Sequence, residues 1–301
     1  MPIVKPNWSK AGALAVSQPR VLVVDDQLVI RGAIRSALDK LDRHFLVIEA
    51  DTGEEALSIM NSAKVDIIFC DIQLPGISGP EALAHAYGNR DQRPFMVLMS
   101  GKRGEAVHDM GRRIGVYEFM SKPFRAGDVI QAVNAFDRLK QVARVLVIDD
   151  SATVRRLMAR ILDRSQFHID LYEAGSGEEA LKLAKSWNFD VTFCDFNMPG
   201  LDGVETAGML LRLNPAAQIV LISTEQPSSL VRSAQFVGAF AFLKKPFDAS
   251  DIDVVMHDAF ALKRPSISRP THAIFSNEDA LRARGEAVTG TGNSFGAAGV
   301  A

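Results

Sequence analysis

The sequence predicts two tandem α/β domains, each a doubly wound sheet of five parallel strands with helices on both faces. Three observations carry this expectation. Short apolar runs alternate with helix-period segments five times, and then five times again. The two halves run in step, the second displaced by 124 residues at its first landmark (Asp25 to Asp149) and by 123 at its last (Lys122 to Lys245). The opening run of each half, Val21–Val24 and Val145–Ile148, is continuously apolar, as befits a strand covered on both faces.

In the first copy the strand-like runs are 21–24, 45–48, 66–70, 95–99 and 117–120. Helices are expected at 29–41, 54–63, 80–87, 105–114 and 126–140. The second of these places Ala56, Ile59, Met60 and Ala63 on one face at spacings of three and four. The second copy repeats the order, with strands near Val145, Ile169, Val191, Ile219 and Phe240. Strand and helix in regular alternation imply right-handed crossovers and a parallel sheet. The expected organisation is an extension over 1–19 without stable order, domains at 20–141 and 144–262, and a largely disordered tail over 263–301. Pro265, Pro270 and several serines open that tail, and glycines crowd its end. A short helix capped by Ser276 is the one element expected there. The join near residue 141 has no Gly- or Pro-rich linker.

Bulk properties narrow the function. The 301 residues are 47% hydrophobic and 23% charged, with a net charge of −2, which is globular composition with no basic patch for nucleic acid. No apolar run nears the roughly 20 residues needed to span a bilayer, and the first 20 residues lack a signal-peptide core. No membrane partner is expected, and the expected location is cytoplasmic. Cys70 and Cys194 occupy equivalent strand positions and read as small buried residues. The six histidines show no metal spacing, and His168, on an apolar strand, is expected to be packed.

The landmarks that carry chemistry recur at fixed places. Asp25-Asp26 and Asp149-Asp150 close the first strand of each copy. Asp71 and Asp195 close the third, each 46 residues after its pair begins. Ser100 and Ser223 end the fourth strand, and Lys122 and Lys245 follow the fifth in Lys-Pro-Phe. In a doubly wound sheet, ligands bind beyond the carboxyl ends of the strands, so strand polarity alone gathers these groups at one edge. Crowded carboxylates repel one another and favour a hard cation; Mg²⁺ suits Asp26 with Asp71 and Asp150 with Asp195. A carboxylate beside such a cation can attack phosphorus in line and form an aspartyl phosphate, while lysine and hydroxyl groups stabilise the phosphoryl oxygens. Singly, each landmark is weak: an Asp-Asp after a strand is usually a turn or cap, and a Lys-Pro-Phe is usually a junction. Their joint recurrence in order gives the signal its weight. A phosphatase of the haloacid-dehalogenase type fits poorly, because it wants an Asp-x-Asp nucleophile after its first strand.

Each copy resembles a receiver domain of two-component response regulators, with a flavodoxin-like (βα)5 fold of the chemotaxis type. The matching stretches are Val24–Asp26 and Ile148–Asp150, Cys70–Gly79 and Cys194–Gly203, the two serines, and Lys-Pro-Phe twice. The resemblance implies Asp71 and Asp195 as phosphoacceptors. It implies metal sites from Asp25, Asp26, Asp71 and the Gln73 carbonyl, and from Asp149, Asp150, Asp195 and the Asn197 carbonyl. Lys122, Lys245, Ser100 and Ser223 would bind phosphate and switch, and Phe119 and Phe242 would be the switch aromatics. It implies a histidine kinase or phosphotransfer protein as donor, and a downstream protein or a homodimer as output. The fourth helix, fifth strand and fifth helix of each copy would be the output surface. Catalysis would be limited to the domain's own phosphorylation and dephosphorylation. The alternative is an adaptor in which one copy is never phosphorylated. The copies differ where attacking water would approach, Gln73 and Lys102 against Asn197 and Glu225, so different phosphate lifetimes are expected.

Overall fold

A computed structural model describes residues 18–88, 93–101, 105–225, 228–266 and 274–276. It divides into two compact units. The first runs to Arg138 and includes Pro265 and Ser266; the second runs from Leu139 to Arg264 and includes Ile274–Ser276. Lys102 and the helix expected after Ser276 lie outside the described residues, as does nearly all of the N-terminal extension.

The first unit contains β1 (Arg20–Val24), α1 (Leu28–Leu38), β2 (Leu46–Ala50), α2 (Gly53–Ser62), β3 (Ile67–Asp71), α3 (Gly79–Tyr87), β4 (Phe95–Ser100), α4 (Glu105–Ile114), β5 (Glu118–Ser121) and α5 (Ala126–Lys140). Its sheet is ordered β2-β1-β3-β4-β5 and all its pairs are parallel. β1 shows why a continuous apolar run is needed. Leu22 and Val24 join one core with Ala56, Met60, Ala82 and Leu83. Val21 and Val23 join the opposite core with Ile34, Leu38, Val129 and Val133. Each such side chain contributes about 1.5–3 kcal/mol of burial, so no position from Val21 to Val24 tolerates a polar residue cheaply. Helix α1 ends at Leu38 rather than at the expected Leu41. Lys40 and Leu41 donate instead to Ala37 and Leu38, a tightened last turn.

The second unit repeats the pattern: β6 (Val142–Ile148), α6 (Ala152–Leu162), β7 (His168–Ala174), α7 (Gly177–Ala184), β8 (Val191–Asp195), α8 (Gly203–Leu213), β9 (Gln218–Ser223), α9 (Ser228–Val237), β10 (Ala241–Lys244) and α10 (Ala249–Ala259). The expected five parallel strands are present as β7-β6-β8-β9-β10. A sixth, β11 (Ile274–Ser276), adds antiparallel to the outer edge of β10. The tail was expected to lack such an element. His168 is exposed, contrary to expectation: it opens β7 opposite Val142, which is itself exposed and precedes the part of β6 that pairs with β8; among the described residues His257 on α10 is a fully buried imidazole. Among the described residues no helix is long and apolar enough to cross a membrane.

Candidate functional site

In each sheet the strand order reverses between the first and third strands of the copy, so the carboxyl ends of β1 and β3, and of β6 and β8, flank the switch point. The loops there are held by local chemistry. Ser78 and Glu81 form a capping box at α3, and Asp202 and Glu205 form one at α8. Gly79 and Gly203 let these helices start against the acidic strand. A Cβ at Gly79 would lie 1.9 Å from the Asp71 carbonyl oxygen, and one at Gly203 would lie 2.3 Å from that of Asp195. Gly76 and Gly200 turn the preceding loops with φ of 75° and 78°, a region that glycine enters freely.

The structure gathers the expected groups. In the first unit Lys122 Nζ lies 2.6 Å from Asp25 Oδ2 and 2.9 Å from Asp71 Oδ2. In the second, Lys245 Nζ lies 3.1 Å from Asp149 Oδ2 and 2.7 Å from Asp195 Oδ1. The second oxygens of Asp25 and Asp149 accept the backbone N–H of Gln27 and Ser151. Burial pushes Asp71 and Asp195 above the ordinary carboxylate range, and the neighbouring lysine opposes that rise. Burial alone would depress Lys122 and Lys245, but the paired carboxylates outweigh it and hold both ammonium groups above their ordinary value. Burial likewise pushes the Cys70 and Cys194 thiols far up; both are free and buried, as expected.

The serines are wired to the lysines. Lys122 N–H donates to the Ser100 carbonyl at 2.7 Å, and Lys245 N–H to that of Ser223 at 2.8 Å. The Lys122-Pro123 and Lys245-Pro246 peptide bonds are cis. Ser223 is buried and its Oγ accepts the Glu225 N–H, while Ser100 is half-buried. Phe119 is half-buried with its ring against Gly111, whereas Phe242 is fully buried. Gln73 and Asn197 are exposed at the rim, and the Asn197 N–H donates to Asp195 Oδ2 at 3.1 Å.

Oxygens of Asp25, Asp26 and Asp71 all lie within 4.8 Å of one another, the one such acidic group among the described residues. Three carboxylates against the Lys122 ammonium leave a formal deficit that a divalent cation matches, and hard oxygen donors suit Mg²⁺. The first rim therefore fits the ion.

Sequence reasoning missed an arginine in each copy. Arg31 donates to the Asp25 carbonyl at 2.7 Å and pairs with Glu49 at 2.9 Å; Arg155 donates to the Asp149 carbonyl at 2.8 Å and pairs with Glu173 at 3.1 Å. Hydrogen bonds from Arg35 and then Arg31 pull Glu49 below its ordinary range. The signal was available, since both arginines fall six residues after the first aspartate of the pair.

Comparison with known proteins agrees with this arrangement. The sequence pattern of the response regulator receiver domain matches residues 21–134 and again 145–257. The chain belongs to that family, whose receiver domains are the signalling modules of two-component systems. It is 37% identical over 109 residues to the transcriptional regulatory protein PdtaR of Mycobacterium tuberculosis, covering 36% of this chain and 52% of that one. It is 32% identical over 123 residues to the transcriptional regulatory protein ResD of Bacillus subtilis, covering 41% and 49%. Only about half the length of these two curated relatives is matched. Chemotaxis protein CheY of Thermotoga maritima is 29% identical over 109 residues, covering 36% of this chain and 90% of that protein. A solved probable two-component response regulator/GGDEF domain protein superposes with a TM-score of 0.57 at 22% identity, covering 81% of this chain and 98% of that one, a likeness of fold alone.

Proposed function

We propose that this chain is a tandem receiver that takes phosphoryl groups on Asp71 and Asp195 from a histidine kinase or histidine phosphotransfer protein and signals by protein–protein contact. The observation that carries the reading is the lysine in each copy, bridging a buried carboxylate to the carboxylate that ends the third strand. In the reaction a carboxylate oxygen of the acceptor bonds to phosphorus. The phosphorus–nitrogen bond of the donor breaks, and its electron pair stays on the imidazole. The ammonium of Lys122 or Lys245 neutralises charge on the phosphoryl oxygens, and the Ser100 or Ser223 hydroxyl donates to one of them. Mg²⁺, when bound, supplies further neutralisation of those oxygens. Asp25, Asp26, Asp71 and the Gln73 carbonyl would hold it in the first copy; Asp149, Asp150, Asp195 and the Asn197 carbonyl would hold it in the second. The closer grouping on the first rim supports Asp71 as the acceptor with the stronger cation site. Phe119 and Phe242 would follow the serines and relay the change to the output surface. The downstream partner is a protein or a second copy of the chain.

Intact-mass analysis after incubation with acetyl phosphate and Mg²⁺ tests this. Wild type should carry up to two adducts, and Asp71→Ala and Asp195→Ala up to one each. Adducts that persist in the double variant, or that never form on any of the four, would end the proposal.

A further inference from the structure

In the second unit the sheet does not stop at β10. Three residues of the tail lie antiparallel along its outer edge, Ile274 opposite Leu243, Phe275 opposite Phe242 and Ser276 opposite Ala241. An open sheet edge presents a row of unpaired N–H and C=O groups and recruits whatever strand is offered. Here the chain offers its own. β11 also packs beside α10, which is buried at every residue from Asp251 to His257. In the first unit the corresponding strand, β5, receives no strand among the described residues.

β10 is also the strand wired to the acid. Its residue Lys244 stands opposite Ser223. The next residue, Lys245, donates its N–H to the Ser223 carbonyl at 2.8 Å and places Nζ 2.7 Å from Asp195. The residues that β11 pairs, 241–243, therefore end two positions before the lysine that touches the proposed acceptor. Any reaction at Asp195 that draws Lys245 onto phosphoryl oxygens pulls on the end of the strand that carries β11.

We infer that residues 274–276 are an intramolecular edge strand that reports on Asp195. It docks on β10 while Lys245 contacts the Asp195 carboxylate directly, and it is released when that carboxylate is phosphorylated. This rests on the proposed acceptor role of Asp195. The tail thereby covers an edge of the second receiver that a downstream protein would need, and uncovers it on signal. A three-residue ladder suits such a device, because so short a pairing is easily displaced. Linkage makes the effect reciprocal: a strand that prefers the unmodified site must hold back modification of that site.

The test uses the full chain and a variant, Ile274→Pro with Phe275→Pro, whose backbone cannot complete the ladder. Hydrogen exchange read by mass spectrometry should show the amides of 241 and 243, which point away from β9, protected in wild type and exchanging at least several-fold faster in the variant. Beryllofluoride with Mg²⁺ should speed the same amides in wild type and change the variant little. Acetyl phosphate should label Asp195 faster in the variant, with both chains carrying Asp71→Ala so that one acceptor is read. Equal exchange in wild type and variant would show that the strand does not dock. Docking with unchanged exchange under beryllofluoride and an unchanged labelling rate would show a static edge cap and overturn the reporting role. If Asp195 takes no label in either chain, the acceptor reading fails, and the exchange comparison without phosphoryl mimic still decides whether the strand docks.

Discussion

In the first receiver the carboxylates of Asp25, Asp26 and Asp71 approach within 4.8 Å of one another; in the second, Asp149, Asp150 and Asp195 form no such group, although a lysine holds the third-strand aspartate in both, Lys122 on Asp71 and Lys245 on Asp195. The same contrast extends down the sheet. Ser100 and Phe119 are half-buried, with Phe119 lying against Gly111, while Ser223 and Phe242 are buried and Ala234 stands where Gly111 does. Equal residue sets have been set at different openness. The first rim groups carboxylate oxygens where a cation would fit, and the second does not; the second unit also carries β11 on the outer edge of its sheet. Family membership fixes which residues meet; their neighbours fix how much of the charge is already neutralised.

The sharpest way to break this comparison is to remove the lysines. Lys122→Ala leaves Asp25, whose side chain is 0% exposed, facing Asp71 without a counter-charge. Removing one partner of a buried pair costs about 3–5 kcal/mol. The loss should be largest at pH 8. Burial already raises Asp71, and losing the lysine that opposes this raises it further, so stability falls as pH rises through its folded value. Lys245→Ala should lose less, because its partners are more open, at 6% and 13% exposure. Urea unfolding, with transitions assigned to each unit by hydrogen exchange, reads both. An equal loss from the two variants would contradict the difference in openness.

A smaller effect separates the two loops. The Cβ added by Gly79→Ala meets backbone oxygen at 1.9 Å, and that added by Gly203→Ala at 2.3 Å. Neither neighbour is a flexible side-chain end, so α3 or α8 must move. Overpacking of this kind costs about 3 kcal/mol at the upper end of its usual range. Gly79→Ala should be the worse of the two in thermal unfolding, and it should also slow labelling of Asp71, because the displaced carbonyl belongs to the proposed acceptor itself.

Much of this was legible in the sequence, for identifiable reasons. Val21–Val24 of β1 and Val145–Ile148 of β6 are buried on both faces, so these apolar runs are unbroken. The aspartates, serines and lysines end strands, so polarity alone places them on one rim. Arg31 and Arg155 escaped because an arginine on a helix reads as solvated until its carbonyl partner is seen. β11 escaped because three residues in a Pro- and Ser-rich tail have no period of their own; their pairing is made entirely by the distant edge of β10. The buried polar face of α10 escaped for a related reason, since Asp253 and His257 look like an exposed stripe until the helix is found covered.

That stripe supplies the last and smallest contrast. Asp253 accepts from Ser165 Oγ at 2.6 Å and from the Gln166 N–H at 3.1 Å, yet burial outweighs both hydrogen bonds and raises it to about 6. Aligned on the Lys-Pro-Phe motif, the first copy has Ile130 at this place. An acid whose folded value is raised contributes stability below its unfolded value, near 4, and loses it as pH climbs through about 6. Each tenfold gain in proton affinity on folding is worth about 1.4 kcal/mol, so the contribution of Asp253 to the second unit should fall by about 2–3 kcal/mol between pH 4 and pH 8. Asp253→Asn should remove that contribution while leaving the first unit unchanged. Neighbouring His257, lowered by burial, works in the opposite sense, losing stability as pH falls, and it is present in both chains, so it cancels in their difference. Denaturant midpoints measured across that range decide the matter: parallel curves for wild type and variant would mean that Asp253 titrates like a surface carboxylate and that the α10 face opens in solution.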